Sequence, residues 1–205
     1  MKKISSESEL REIVGFPGKL AENKEIRFLD LHCREFISKS PFLVLSSSNN
    51  EGLCDASPRG DAPGFVSVLD DHTLLIPERP GNRRLDTLLN ILSNPHVGLI
   101  FLIPGMGETL RINGKAFIIK DQELLAPQAV NGKTPLMGIM VKVEQCFIHC
   151  AKAILRSQLW KHENWLDDEQ IPSGAKILAE HANLVDMDER EVSSSLKESY
   201  EKRLY

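Results

Sequence analysis

The chain has 205 residues, which is enough for one domain with a full core, or for one domain with an appendage. Apolar residues make up 41% and charged residues 26%, as in an ordinary soluble globular protein. The net charge of −4 argues against a general nucleic-acid binder, which would carry a basic surplus.

Neither a membrane span nor an export signal is predicted. The longest apolar run, from Val97 to Ile103, is far too short to cross a bilayer, and no apolar stretch follows the basic start of the chain. We therefore expect a cytoplasmic protein that does not bind membranes. The four cysteines are scattered along the chain, which favours free thiols over a disulfide framework.

The first half of the chain predicts one helix and two pairs of short strands. Apolar residues recur at helical spacing over residues 26–38, among them Leu29, Cys33, Phe36 and Ile37. A buried strand over 42–46, a polar turn over 48–52 and a return strand over 53–57 form a predicted hairpin. Strands over 65–69 and 73–77 follow, joined by a tight turn.

The second half continues with alternating elements. A helix over residues 83–92 is expected to bury Leu85, Leu88, Leu89 and Leu92. Strands follow over 97–103, 109–118 and 137–148, with a short helix over 121–126 before the last. The turns are mostly too short for parallel crossovers, so we predict a mainly β, antiparallel barrel with peripheral helices. The barrel domain would span residues 26–160, between an N-terminal extension over 1–25 and a C-terminal helical extension over 161–205.

A basic segment runs from Glu78 to Asp86. Asn82 would cap the predicted helix, which places Arg83 and Arg84 in its first turn. That end of a helix is positive and normally takes acidic residues, so two arginines there indicate a bound anion such as phosphate. The alternative is a solvated loop that Glu78 and Asp86 partly neutralise.

Two further segments carry polar side chains on predicted strands. Ser57 and Arg59 lie at the end of a strand beside a glycine, which would let a ligand approach the backbone. Thr109 and Arg111 alternate along a later strand, where rigid donors could contact a ring-shaped ligand. Both patterns also occur in ordinary turns and on solvent-facing strands.

The last segment, from Cys146 to Trp160, predicts a strand that leads into a basic helix. Lys152 and Arg156 would share one helical face. The spacing of Cys146, His149 and Cys150 matches no compact zinc site, so no metal is predicted.

Together these segments, in this order, resemble the pyridoxamine 5′-phosphate oxidase-related family of FMN-binding split barrels, and most of all its uncharacterised bacterial branch. The resemblance covers about residues 26–160 and rests on four runs: 56–61, 79–84, 107–114 and 149–160. It implies a split β-barrel and a homodimer with FMN at the subunit interface. It also implies that Arg59, Arg83 and Arg84 lie near the flavin phosphate.

The sequence departs from the oxidase itself at two places. Thr109 replaces a glutamine that contacts the flavin ring, and the mixed-charge C-terminus lacks the arginine-rich segment that holds pyridoxal phosphate. We therefore expect an FMN-dependent oxidoreductase that transfers hydride to or from a small molecule or a nicotinamide, and not pyridoxamine phosphate oxidation. The expected cofactor-binding residues are Ser57, Arg59, Asn82, Arg83, Arg84, Thr109, Arg111, Lys152, Arg156 and Trp160, the last three from the partner subunit. The alternatives are a flavin carrier or redox sensor, and a haem-binding split barrel with His149 or His162 as ligand.

Overall fold

The computed structural model describes residues 1–185 and 187–205. The strands are β1 (Phe42–Ser48), β2 (Cys54–Gly60), β3 (Ser67–Asp70), β4 (Thr73–Pro77), β5 (His96–Leu102), β6 (Thr109–Ile119) and β7 (Gly138–His149). The helices are α1 (Glu7–Val14), α2 (Lys19–Asn23), α3 (Leu31–Lys39), α4 (Asp86–Ser93), α5 (Gln122–Leu125), α6 (Lys152–Ser157), α7 (Gly174–Ala182) and α8 (Glu189–Lys202).

All seven strands form one sheet in the order β2-β1-β5-β6-β7-β4-β3, and every adjacent pair is antiparallel. The predicted antiparallel split barrel with peripheral helices is therefore confirmed. Short polar turns make this topology possible. In the β1–β2 turn, the Asn49 side chain accepts hydrogen bonds from the N–H groups of Glu51 and Leu53, and Gly52 takes a φ of 81°.

The core lies on one face of this sheet. Leu43, Leu45, Leu99, Phe101 and Ile112 alternate with half-exposed residues along their strands, and each is almost completely buried. The longest ladder, between β6 and β7, contains a bulge at Gly114. A Cβ atom there would lie 2.0 Å from the carbonyl oxygen of Lys142, so only glycine fits.

The first predicted helix is shorter than expected. The structure begins α3 at Leu31, because the Asp30 side chain accepts a hydrogen bond from the N–H of Cys33 and so caps the helix there. Ile26, predicted to be helical, instead makes two backbone hydrogen bonds to Cys146 of β7. The start of the segment thus extends the sheet.

The prediction for α4 was wrong at its start and in its buried face. The helix begins at Asp86 rather than Arg83, and its buried residues are Thr87, Leu88 and Ile91. Of the predicted buried set only Leu88 is buried, whereas Leu85, Leu89 and Leu92 are exposed. The face of α4 that meets the core therefore contains Thr87 and Ile91 in place of three of the predicted leucines.

Candidate functional site

Ser57 and Arg59 lie on the face of β2 that turns toward the core. Arg59 is opposite Leu43 and Ser57 is opposite Leu45 in the β1–β2 register, and both leucines are fully buried. Because cross-strand neighbours share a face, Ser57 and Arg59 are directed to the core side, where both are half-buried. We call this region, together with the segment 78–85, the inner half-site.

Two ion pairs hold the segment after β4 against β2. Arg59 pairs with Glu78, and Nε of Arg79 lies 2.7 Å from a carboxylate oxygen of Asp61. The Tyr205 hydroxyl donates a 2.8 Å hydrogen bond to the same carboxylate. Burial raises the pKa of Asp61, but hydrogen bonds from the Ala62 N–H, Tyr205 and Arg79, with the charge of Arg79, hold it below its ordinary value.

The arginine pair does not lie in a helix, contrary to the sequence prediction. Arg83 and Leu85 both have positive φ values, 63° and 64°, and Leu85 takes the position before the first helical residue. Asn82 caps no helix, because its side chain instead accepts a 3.0 Å hydrogen bond from the N–H of Arg84. Two non-glycine residues in this conformation strain the segment, and such strain is concentrated at functional sites.

The two arginines differ in their partners. Nε of Arg84 lies 2.8 Å from a carboxylate oxygen of Asp86, which raises the pKa of Arg84 through its hydrogen bond and its charge. This agrees with the alternative interpretation, in which the neighbouring acids neutralise the loop. Arg83 is exposed and has no ion-pair partner among the described residues. Arg83 is therefore the arginine of this pair that can take an anion without breaking an ion pair.

An open cleft of about 560 Å³ lies between the β1–β2 turn and α4. Arg84 lines it together with the carboxylates of Glu51, Asp55 and Asp86. Three acidic groups around one guanidinium disfavour a phosphate in this cleft.

Thr109 and Arg111 lie on the opposite face of the sheet from Arg59. Arg111 is opposite Ile100 of β5 and Phe147 of β7, whereas the buried Leu110 and Ile112 alternate with it toward the core. Thr109 is opposite His149. The structure therefore separates the predicted site residues into two groups. We call the second group, with Lys24, Phe147 and His149, the outer half-site.

The outer half-site contains buried polar atoms without partners. Oγ1 of Thr109 and Nδ1 of His149 are both buried and make no hydrogen bond within the described chain. Leaving such a group unsatisfied costs about 1–3 kcal/mol, so each is suited to a bound molecule or water. In the inner half-site, Nε of Arg59 is buried without a partner in the same way.

Two cations flank the outer half-site. Nζ of Lys24 lies 4.9 Å from the centre of the Phe147 ring and donates a 2.8 Å hydrogen bond to the carbonyl of Ile148. The guanidinium carbon of Arg111 lies 5.3 Å from the same ring centre. Burial, followed by the charges of Lys24 and Arg111, lowers the pKa of His149, which keeps its imidazole neutral at neutral pH.

The sequence did not identify Lys24 and Phe147, and it offered His149 as a haem or metal ligand rather than as a flavin contact. Lys24 lies in the predicted extension, and only the pairing of the segment at Ile26 with β7 brings it to Phe147. The alternation of Gln145, Phe147 and His149 along one strand was an available signal. This alternation identifies site residues only when it is known which face of β7 lies outside the core.

The predicted basic helix after β7 is present as α6. Lys152 and Arg156 are exposed on it. The indole N–H of Trp160 donates a 2.8 Å hydrogen bond to the carbonyl of Met106, which ties the end of this segment to the β5–β6 turn. The indole N–H of Trp160 thus has its hydrogen-bond partner within its own chain, whereas Lys152 and Arg156 are exposed to solvent.

The histidines and helices were also relevant to metal and membrane binding. Within residues 1–185 and 187–205, no group of three or more His, Cys, Asp or Glu side chains could hold a metal ion. His162 stacks edge-on against Trp165, with ring centres 4.3 Å apart. No helix in the same residues has both the length and the apolar character needed to cross a membrane.

The family follows from comparison with known proteins. A family model described as pyridoxamine 5′-phosphate oxidase matches residues 29–150, which is more than half of the chain and includes every strand. This chain belongs to the pyridoxamine 5′-phosphate oxidase family. Membership supports a flavin-binding fold and assigns no reaction. The search of curated proteins found no match.

Solved structures with some similarity include three bacterial proteins. HupZ from Group A Streptococcus is 16% identical, over 58% of this chain and 92% of its own, with a TM-score of 0.49. A putative pyridoxamine 5′-phosphate oxidase from Lactobacillus delbrueckii is 17% identical, over 60% and 98%, with a TM-score of 0.47. General Stress Protein 26 from Bacillus anthracis is 17% identical, over 58% and 94%, with a TM-score of 0.43. Similarity at this level says nothing about a shared substrate.

Proposed function

We propose that this member of the family binds FMN between two copies of the chain and acts as a cytoplasmic FMN-dependent oxidoreductase. The observation that carries the proposal is the pair of half-sites on opposite faces of one sheet. Each contains cations and a buried polar atom with no partner in the described chain: Nε of Arg59 in the inner half-site and Oγ1 of Thr109 in the outer one. These unsatisfied donors fit a ligand that has many acceptor atoms, as FMN has.

The inner half-site would hold the phosphate. FMN carries nearly two negative charges on that group, and arginine binds such groups bidentately. Arg83 is available for this contact, whereas Arg59 and Arg84 already pair with carboxylates. Ser57 lies on the same face of β2 as Arg59 and, with the backbone around Asn82, would complete the set of donors.

The outer half-site would contact the ring system, and it would have to come from the second copy. The Arg59 and Arg111 side chains leave opposite faces of the sheet, so one flat ring cannot meet both within a single chain. In a two-fold symmetric dimer, the outer half-site of each copy can cover the inner half-site of the other. Lys152, Arg156 and Trp160 follow β7 directly and would belong to this partner contribution.

The chemistry would come from the cofactor. When bound, FMN supplies hydride transfer at its N5 atom. Arg111 and Lys24 provide fixed positive charge on the outer face, and charge of that sign stabilises negative charge that develops next to it. Thr109 and the neutral His149 can donate or accept hydrogen bonds there. The partner in the hydride transfer would be a nicotinamide or a small organic molecule.

Three measurements on the purified protein test this function. Absorption bands of oxidised flavin, with FMN released on denaturation and identified by mass spectrometry, would support the proposal. A Soret band would instead indicate haem, for which His149, with its unpartnered Nδ1, is the candidate ligand. Flavin without oxidation of reduced nicotinamide or of any small-molecule donor would favour a carrier or redox sensor.

Subunit mixing tests whether the site is shared. The variants Arg83→Ala and Arg111→Gln each damage a different half-site, so either homodimer alone should bind FMN poorly. After unfolding and refolding together, mixed dimers should regain one intact site each, about a quarter of all sites if subunits pair at random. No recovery of FMN binding on mixing would contradict a shared site. The same holds if light scattering shows only monomers while FMN is fully bound.

A further inference from the structure

Two of the four cysteines lie against each other in the core. Sγ of Cys33 is 3.3 Å from Sγ of Cys146, although the residues are 113 positions apart in the chain. Cys33 is the third residue of α3, and Cys146 lies on β7. Cys54 and Cys150, by contrast, are exposed. The fold has thus brought one pair of thiols into contact and left the other two exposed.

The backbone around this pair is held firmly. The N–H of Cys33 donates to the capping carboxylate of Asp30, and Cys146 exchanges two backbone hydrogen bonds with Ile26, at 2.9 and 2.7 Å. The backbone at each cysteine is therefore already fixed by hydrogen bonds. A disulfide needs its sulfurs about 2.05 Å apart, which here requires a closure of little more than 1 Å. Side-chain rotation can supply movement on that scale.

We propose that Cys33 and Cys146 form a site of reversible oxidation, at which a peroxide converts the two thiols to an internal disulfide. In the first step the Cys33 sulfur attacks hydrogen peroxide, which gives a sulfenic acid and one water. In the second step the Cys146 sulfur displaces the hydroxyl group of that sulfenic acid, and its own proton leaves with it as a second water. Two thiols and one peroxide thus give one disulfide and two waters.

The order of the steps follows from burial and charge. Cys33 is 7% exposed whereas Cys146 is fully buried, so Cys33 is the more accessible of the two to peroxide. The hydrogen bond with Cys33, followed by burial, strongly raises the pKa of Cys146, which keeps Cys146 protonated and disfavours it as the first thiol to react. Intracellular disulfides, where they occur, are usually transient and serve redox sensing.

The test uses the full chain with Cys54→Ser and Cys150→Ser, which removes the exposed thiols and leaves the pair. After treatment with hydrogen peroxide and alkylation of remaining thiols, peptide mapping under non-reducing conditions should show a Cys33–Cys146 crosslink. Dithiothreitol should remove it. The crosslink closes a long loop, so the melting temperature should rise by roughly 5–15 °C on oxidation and return on reduction.

The matched control is Cys33→Ala in the same background, which keeps Cys146 but removes its partner. It should show neither the crosslink nor a rise in melting temperature with peroxide. If peroxide oxidises Cys33 to sulfinic acid while Cys146 remains free to alkylate in denaturant, the proposal is wrong. It is equally wrong if both thiols stay reduced. Neither result bears on FMN binding, which the flavin absorption of the same sample reports separately.

Discussion

The two half-sites differ in whether their positive charges are paired with carboxylates. In the inner half-site, Arg59, Arg79 and Arg84 are each paired with a carboxylate. In the outer half-site, Lys24 and Arg111 contact an aromatic ring and have no carboxylate within ion-pair distance in the described chain. An anion that enters the inner half-site must therefore compete with existing pairs, except at Arg83. The outer half-site presents positive charge that is not neutralised.

This contrast shows that counting arginines does not locate an anion site. The segment from Glu78 to Asp86 contains three arginines, yet two of them, Arg79 and Arg84, are already paired with Asp61 and Asp86. Arg111 is a lone arginine on a strand and would attract little attention by composition. Partners decide which guanidinium groups are available.

The largest expected effect separates the two adjacent arginines. Arg83→Ala should weaken FMN by about tenfold to a hundredfold, because it removes a charge-assisted contact to phosphate. Arg84→Ala should weaken FMN much less, because Arg84 is engaged by Asp86. Riboflavin, which lacks the phosphate, should respond little to either change. Fluorescence-quenching titrations of both flavins provide the measurement.

Two results of that titration would contradict the proposed difference between Arg83 and Arg84. Equal losses for FMN and riboflavin would mean that Arg83 supports the fold rather than the phosphate. Equal losses of FMN in the two variants would mean that ion pairing does not decide availability. Raised salt should weaken FMN more than riboflavin, since only the phosphate contact is charged.

A second prediction concerns the partly buried pair of Arg59 and Glu78, whose side chains are 14% and 20% exposed. Glu78→Gln removes the carboxylate and leaves the guanidinium without its counter-charge. We expect the free energy of unfolding to fall by about 1–2 kcal/mol in denaturant titrations. The FMN affinity should hold or improve, because Arg59 is then released for the ligand.

The matched control for that variant is Glu35→Gln, which breaks the exposed pair with Lys39 on α3. Exposed pairs contribute little, so its denaturation midpoint should stay near that of the wild type. If Glu78→Gln is as mild as Glu35→Gln, the inner ion pairs do not hold the segment in place.

The smallest expected effect is a pH dependence from His149. Its pKa is lower in the folded chain than in the unfolded one, so below the unfolded value the unfolded chain binds more protons. Stability should therefore decline as the pH falls from 7 toward 5, and His149→Gln should make this decline shallower. Denaturant titrations at the two pH values measure the difference. If the unfolding free energy of the variant declines with pH as steeply as that of the wild type, His149 is not held neutral by its surroundings.

The strands and the family could be predicted from the residues alone. Alternation along β1 and β6, the turn at Asn49 and Gly52, and the motif order over 56–160 were all readable, because each depends on residues close together in the chain. The same local information misplaced the start of α4. Helical periodicity could not reveal that Arg83 and Leu85 take positive φ values, since leucine and arginine carry no such signal.

Only the tertiary structure decided how the candidate site is arranged. Register across β1, β5, β6 and β7 places Arg59 and Arg111 on opposite faces, and this depends on pairings between strands that are far apart in sequence. The same long-range packing sets Arg59 against Glu78, Lys24 against Phe147, and Cys33 against Cys146. Composition names the groups that can carry charge or a thiol. Their availability depends on neighbours that only the folded chain supplies.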